Sequence, residues 1–210
     1  MKATATFILA LFAAVAALAQ TPQEIVARMD AVMQEHEKEG MSMVIDIKMP
    51  IVGSMVSKSY TLGDKARVEA ELAGVSMVTW TDGQVQWVYD SSKNQVEIKD
   101  WTQAAKSSTD GDAAMFSKIT EGYEVIIKDD TDDAWYLLCR KLRSNRDKDA
   151  PKSMDLVVAK GSYYPVSLRA TVSGITLTMR DIAFGVSESL VTFNPSDYPG
   201  VKILDNRKER

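Results

Sequence analysis

The chain has 210 residues, 45% of them hydrophobic, and its 25 Lys and Arg against 29 Asp and Glu give a formal charge of −4. Basic residues are interspersed with acids rather than clustered, which excludes the electrostatic footprint of a nucleic-acid binder. A single cysteine and a single histidine exclude an intramolecular disulfide and leave neither residue a second copy for a metal cluster.

Lys2 precedes an apolar run from Ala3 to Ala17, and Ala17-Leu18-Ala19 supplies the small residues of a signal-peptidase site. The run is too short to span a bilayer comfortably. Residues 1–19 are therefore expected to be an export signal that is removed. No cysteine at the cleavage site would receive a lipid. Residues 20–210 are expected to form one domain, soluble in the periplasm.

Thr21-Pro22-Gln23-Glu24 has the pattern of a helix start: Thr21 as cap, Pro22 in the first turn, Glu24 completing a capping box. Ile25, Val26, Met29, Val32 and Met33 then share one helical face. Arg28, Asp30, Gln34, Glu35 and Lys38 take the other, and Gly40 is expected to end the helix. His36 falls near the polar side.

From Met41 the period changes to two. Met43, Ile45, Ile47 and Met49 alternate with polar residues, as do Ala66, Val68, Ala70 and Leu72. Between them Val56, Lys58 and Tyr60 form a further candidate strand of open facing. Val75 to Trp101 reads as three short antiparallel strands: Asp82-Gly83 makes a tight turn, and Val85, Trp87 and Tyr89 form an apolar face against Gln84, Gln86 and Asp90. Lys99 to Lys118 interrupts the sheet as a short helix or flap. Strands resume at Tyr123–Ile127, Trp135–Cys139, Met154–Val158, Tyr164–Ala170 and Ile175–Ile182. With the N-terminal helix these runs make an α+β chain, whose about 10–11 antiparallel strands are enough for one sheet to curl around itself.

Catalytic signatures are missing: no nucleophile motif accompanies His36, and there is no Walker loop, no G-x-G-x-x-G and no C-x-x-C. Asp129, Asp130, Asp132 and Asp133 lack the central Gly and distal Glu of a calcium loop and are expected to form a solvated turn. Cys139, in an apolar strand, is expected to be a buried, inert thiol. No cofactor and no metal are implied, and the chain is not expected to be an enzyme. By contrast there are 11 methionines, and Met29, Met33, Met43, Met49 and Met77 fall on faces expected to be buried. Unbranched, adaptable side chains suit both ordinary core filling and a cavity for a variable hydrocarbon.

Four separated stretches resemble the periplasmic outer-membrane lipoprotein carrier family, the LolA-like proteins. They are Glu24 to Val32; Gly63-Asp64-Lys65-Ala66-Arg67-Val68-Glu69; Thr81 to Asp90 with Asn94-Gln95-Val96; and Phe193-Asn194-Pro195 with Pro199-Gly200-Val201-Lys202-Ile203-Leu204-Asp205. The resemblance implies a strongly curved antiparallel sheet forming an incomplete β-barrel, with the N-terminal helix and short helices as a lid over an apolar concave face. It implies a carrier that takes the acyl chains of a lipoprotein from an inner-membrane ABC exporter and passes them to an outer-membrane acceptor, working as a monomer. It also implies a basic residue that latches the lid, for which Lys65 and Arg67 are the candidates. By facing, the acyl cavity is expected to be lined by Met29, Met33, Met43, Ile45, Ile47, Met49, Val68, Leu72, Met77, Trp87 and Tyr89. An envelope lipid-binding or sensor module that moves no cargo, or an envelope hydrolase, are the alternatives.

Overall fold

The computed structural model describes residues 20–101 and 122–207. The expected export signal, most of the expected flap and the last three residues lie outside the described residues.

The helix start forms as its residues dictate. In α1 (Pro22–Glu35) the Glu24 amide donates to Thr21 Oγ1 at 3.2 Å, and the Thr21 amide donates to Glu24 Oε2 at 2.8 Å. The helix stops earlier than Gly40: His36 is its C-cap, and a 3₁₀ turn, Glu37–Glu39, follows. Gly40 has φ +74°, and a Cβ there would lie 2.4 Å from the Thr61 carbonyl oxygen. Only glycine permits that crossing.

Among the described residues twelve strands follow: β1 (Met41–Met49), β2 (Gly53–Leu62), β3 (Lys65–Leu72), β4 (Val75–Thr81), β5 (Val85–Asp90), β6 (Gln95–Asp100), β7 (Tyr123–Asp130), β8 (Ala134–Lys141), β9 (Ser153–Ala159), β10 (Pro165–Val172), β11 (Ile175–Phe184) and β12 (Lys202–Asp205). They form one curved sheet in the order β12-β6-β5-β4-β3-β2-β1-β11-β10-β9-β8-β7, open between β12 and β7. Every pairing is antiparallel except β12 with β6. The strand beyond the expected 10–11 is β12, too short for an alternating run to announce it. A four-residue helix, α2 (Glu188–Val191), leads into the C-terminal segment.

Cross-strand partners share a face, so the register fixes the two sides of the sheet. Met41 and Met43 sit opposite Thr61 and Ser59 on β2, which in turn sit opposite Ala66 and Val68 on β3. Through β11 the same face continues to Met179, Leu168, Leu156 and Leu137. Ile25, Val26 and Met29 of α1 pack on this side in one cluster with Met41, Met43, Met179, Leu168, Leu156, Leu137, Trp135, Val158 and Cys139. At about 25 cal/mol per Å² this burial is the principal stabilising term.

A second, smaller core lies on the opposite side. Trp80, 2% exposed, contacts Phe193 and Tyr198 at ring distances of 5.3 and 5.5 Å; Trp87 stacks on Phe193 and Tyr89 meets Tyr198. The segment from α2 to Tyr198 thus straps the far face of β3, β4 and β5.

Candidate functional site

The face that carries α1 gathers nine of the residues expected to line a cavity. Met29 and Met33 come from α1; Met43, Ile45, Ile47 and Met49 from β1; Val68 and Leu72 from β3; Met77 from β4. Met29 and Met43 are part of the closed core, 0% and 3% exposed. Ile45, Ile47, Met49 and Val68 are half-buried, while Leu72 and Met77 are 43% and 44% exposed. The apolar surface therefore runs from packed beneath α1 to open at the Met49, Leu72 and Met77 end.

Trp87 and Tyr89 do not join this surface. Trp87 sits opposite Trp80, which sits opposite Arg67, itself opposite Tyr60, all on the far face. The apolar phase of β5 points to the C-terminal strap, and its α1-side residues are Gln86, Val88 and Asp90. Sequence reasoning missed this reversal, although Phe193 and Tyr198 were the aromatic partners that could have signalled it.

Lys65 and Arg67 also lie on the far face. Lys65 Nζ pairs with Glu188 Oε1 at 2.6 Å; Arg67 donates to the Leu190 carbonyl at 3.4 Å, pairs with Glu69 at 2.8 Å and stacks 5.4 Å over the Trp80 ring. Both expected lid latches hold the C-terminal strap, and neither has a contact with α1 among the described residues. The Glu188 carboxyl is held below its usual range by Lys65.

Two groups tune α1. Asp30 places Oδ1 in a buried position with no hydrogen-bond partner among the described residues, and burial pushes its carboxyl up to about 6. His36, at the helix end, has Tyr164 Oη 2.9 Å from Nε2 and Glu39 Oε1 2.9 Å from Nδ1, with its ring stacked 4.8 Å from Phe184. It is a tie between α1 and the sheet. Cys139 is fully buried, and desolvation pushes its thiol up to about 12. Among the described residues no group of three His, Cys, Asp or Glu is placed to hold a metal ion.

The α1 face also contains polar positions that periodicity did not mark as part of a site. Ser57 and Ser59 of β2 are 5% and 1% exposed between the apolar rows of β1 and β3, and Ser57 Oγ donates to the Glu69 carbonyl at 3.0 Å. Farther along, Gln86 of β5 sits opposite Lys99 of β6, and Val88 opposite Glu97. The face is apolar at β1 and β11 and grades to polar at β5 and β6, a gradient that suits a molecule with a hydrocarbon part and a polar head.

No protein-family model matches the chain, and no curated protein matches it. Among solved structures, it is similar to an uncharacterized conserved protein from Thermus thermophilus, at 15% identity over 89% of this chain and 100% of that one, with a TM-score of 0.49. It is similar to a LolA superfamily protein from Nitrosomonas europaea at 15% identity, over 83% of this chain and 99% of that one, TM-score 0.35. A putative outer membrane lipoprotein-sorting protein domain from Vibrio parahaemolyticus is 12% identical over 80% of this chain and 96% of that one, TM-score 0.37. One of these neighbours is thus described as a LolA superfamily protein and another as a lipoprotein-sorting protein domain.

Proposed function

We propose that the chain is a periplasmic carrier that shelters the acyl chains of lipoproteins against the α1 face of the sheet and ferries them between the inner and outer membranes. One observation carries this reading: α1 docks by Ile25, Val26 and Met29 onto a sheet face whose apolar surface continues past the helix as Ile45, Ile47, Met49, Leu72 and Met77, without closing into core. A long acyl chain loses roughly 0.8 kcal/mol of protection per exposed methylene, so a carrier needs a surface of this kind. Release then follows from movement of α1, a single helix attached mainly by one apolar stripe. The exporter and the acceptor are the partners such a cycle requires, and no residue of the described chain is needed as a catalyst.

The test is mass spectrometry of protein purified from its native envelope. Co-purified acylated lipoprotein supports the carrier; free lipid alone points to a binding module instead, and an empty protein counts against both. Ile47→Asp, at a half-buried position on the open part of the face, should reduce cargo recovery at least tenfold while circular dichroism stays unchanged, because an unpaired carboxylate on an apolar wall costs several kcal/mol. Full cargo on a folded Ile47→Asp protein would remove β1 from the site.

A further inference from the structure

The turns β1–β2, β3–β4 and β10–β11 lie at one end of the sheet, because the strands between them run antiparallel. Their tips are apolar and open. Ile51 is 98% exposed and Val52 61%; Leu72 of the β3–β4 hairpin and Ile175 of the β10–β11 hairpin are 43% and 38% exposed, and Val56 is 48% exposed. A Cβ on Gly174 would stand 3.5 Å from Pro50 Cγ, so the β1–β2 and β10–β11 tips touch. An Ile with nearly all its surface in water, beside an exposed Val, contributes nothing to folding and faces outward from the molecule.

Charge at the same end is the opposite of the chain's average. Beside the β10–β11 tip an open groove of about 720 Å³ is lined by Lys148, Lys152, Ser153, Arg169 and Thr171, with Gly174 at its margin. Lys148, Lys152 and Arg169 have no ion pair among the described residues, and Lys48, near the β1–β2 tip, has none either. Among the described residues the only acid lining the groove, Asp155, is paired with Lys128 at 3.0 Å. The loop from Lys141 to Lys152 holds five basic residues against two acids in a chain of net charge −4. Apolar tips ringed by unpaired cations match one surface: headgroup phosphates over hydrocarbon.

We propose that this end of the sheet docks on an anionic phospholipid bilayer, with Ile51 and Val52 entering the acyl layer and the Lys148, Lys152 and Arg169 groove taking lipid phosphates. Such docking goes beyond the carrier reading, because it concerns the outside of the molecule and needs no cargo. It places the open end of the α1 face, where Met49, Leu72 and Met77 lie, against the bilayer.

The test is flotation of the protein with vesicles of equal parts phosphatidylethanolamine and phosphatidylglycerol, against vesicles of phosphatidylcholine alone. Binding to the anionic vesicles, weakened by salt, is expected. Lys148→Glu with Arg169→Glu should weaken it by about fivefold or more per residue, and Ile51→Asp with Val52→Asp by about tenfold or more. The tip residues are exposed, so neither double variant should lose its fold. Because Cys139 is buried, an environment-sensitive dye on Ile51→Cys reports the tip alone, and its emission should shift to the blue on adding anionic vesicles. Equal flotation with both vesicle types, full binding by either double variant, or an unshifted dye would overturn the proposal. So would absence of vesicle binding together with a dimer in solution that Ile51→Asp dissolves, since the apolar end would then be a contact between copies. Carrier function could fail with this binding intact, and the reverse.

Discussion

Asp30 holds its proton more tightly in the folded chain than in the unfolded one, because burial raises its carboxyl from the ordinary 3.8 to about 6. The stability associated with the protonated form is complete below the ordinary value and is lost as pH rises through about 6. Asp30→Asn should therefore stabilise the protein by about 1 to 2 kcal/mol at neutral pH and change little below about pH 4. Urea midpoints at the two pH values check this; equal midpoints for both proteins throughout would show that the carboxylate is well solvated. Gly40 poses the converse case, since any side chain meets the Thr61 carbonyl and a positive φ together. Gly40→Ala should lower stability by about 1 to 3 kcal/mol in thermal or urea melts. The capping box of Thr21 and Glu24 was legible in four consecutive residues because its bonds are local. Asp30 was not: helical periodicity assigned it to the wet face, and only the packing around α1 removes its oxygen from water.

Among the elements, the C-terminal strap changes how the sheet is understood. It buries Trp80 under Phe193 and Tyr198, and is held by Lys65–Glu188 and by Arg67. Trp80→Ala should cost about 3 to 5 kcal/mol in urea unfolding. The exposed Lys65–Glu188 pair is worth far less, and Lys65→Ala should leave the urea midpoint nearly unchanged. Neither site touches the α1 face. If the Lys65→Ala protein lost the proposed cargo at unchanged stability, strap and α1 face would be coupled. The strands themselves were readable, since alternation is a property of each strand. Alternation states which residues of a strand share a side, and it is silent on which side of the sheet that is. Hence Met43, Ile45 and Val68 came out on the α1 face, while Trp87 and Tyr89, with equally strong alternation, turned out to serve a second core. Lys65 and Arg67 share that far face, where they meet the strap.

At the scale of the molecule, an open sheet has two edges to protect. β12 covers β6 by four residues of parallel pairing, and Lys202 N donates to the Asn94 carbonyl at 3.0 Å as it begins. Ending the chain at Val201 should bare the β6 edge and produce self-association visible by light scattering, with α1 still docked. The curling of the sheet was expected from strand count and its openness from the family resemblance, whereas the edge closure was not, because β12 lacks the length to show a period. The position of β1 has a temporal consequence. It is the first strand made, yet it sits mid-sheet, and one flank is completed only by β11, with Met41 opposite Phe184. A chain delivered from its N-terminus holds that seam open until nearly its whole length has emerged, so assembly must be slow and late. Such a polypeptide stays threadable for as long as it is being delivered.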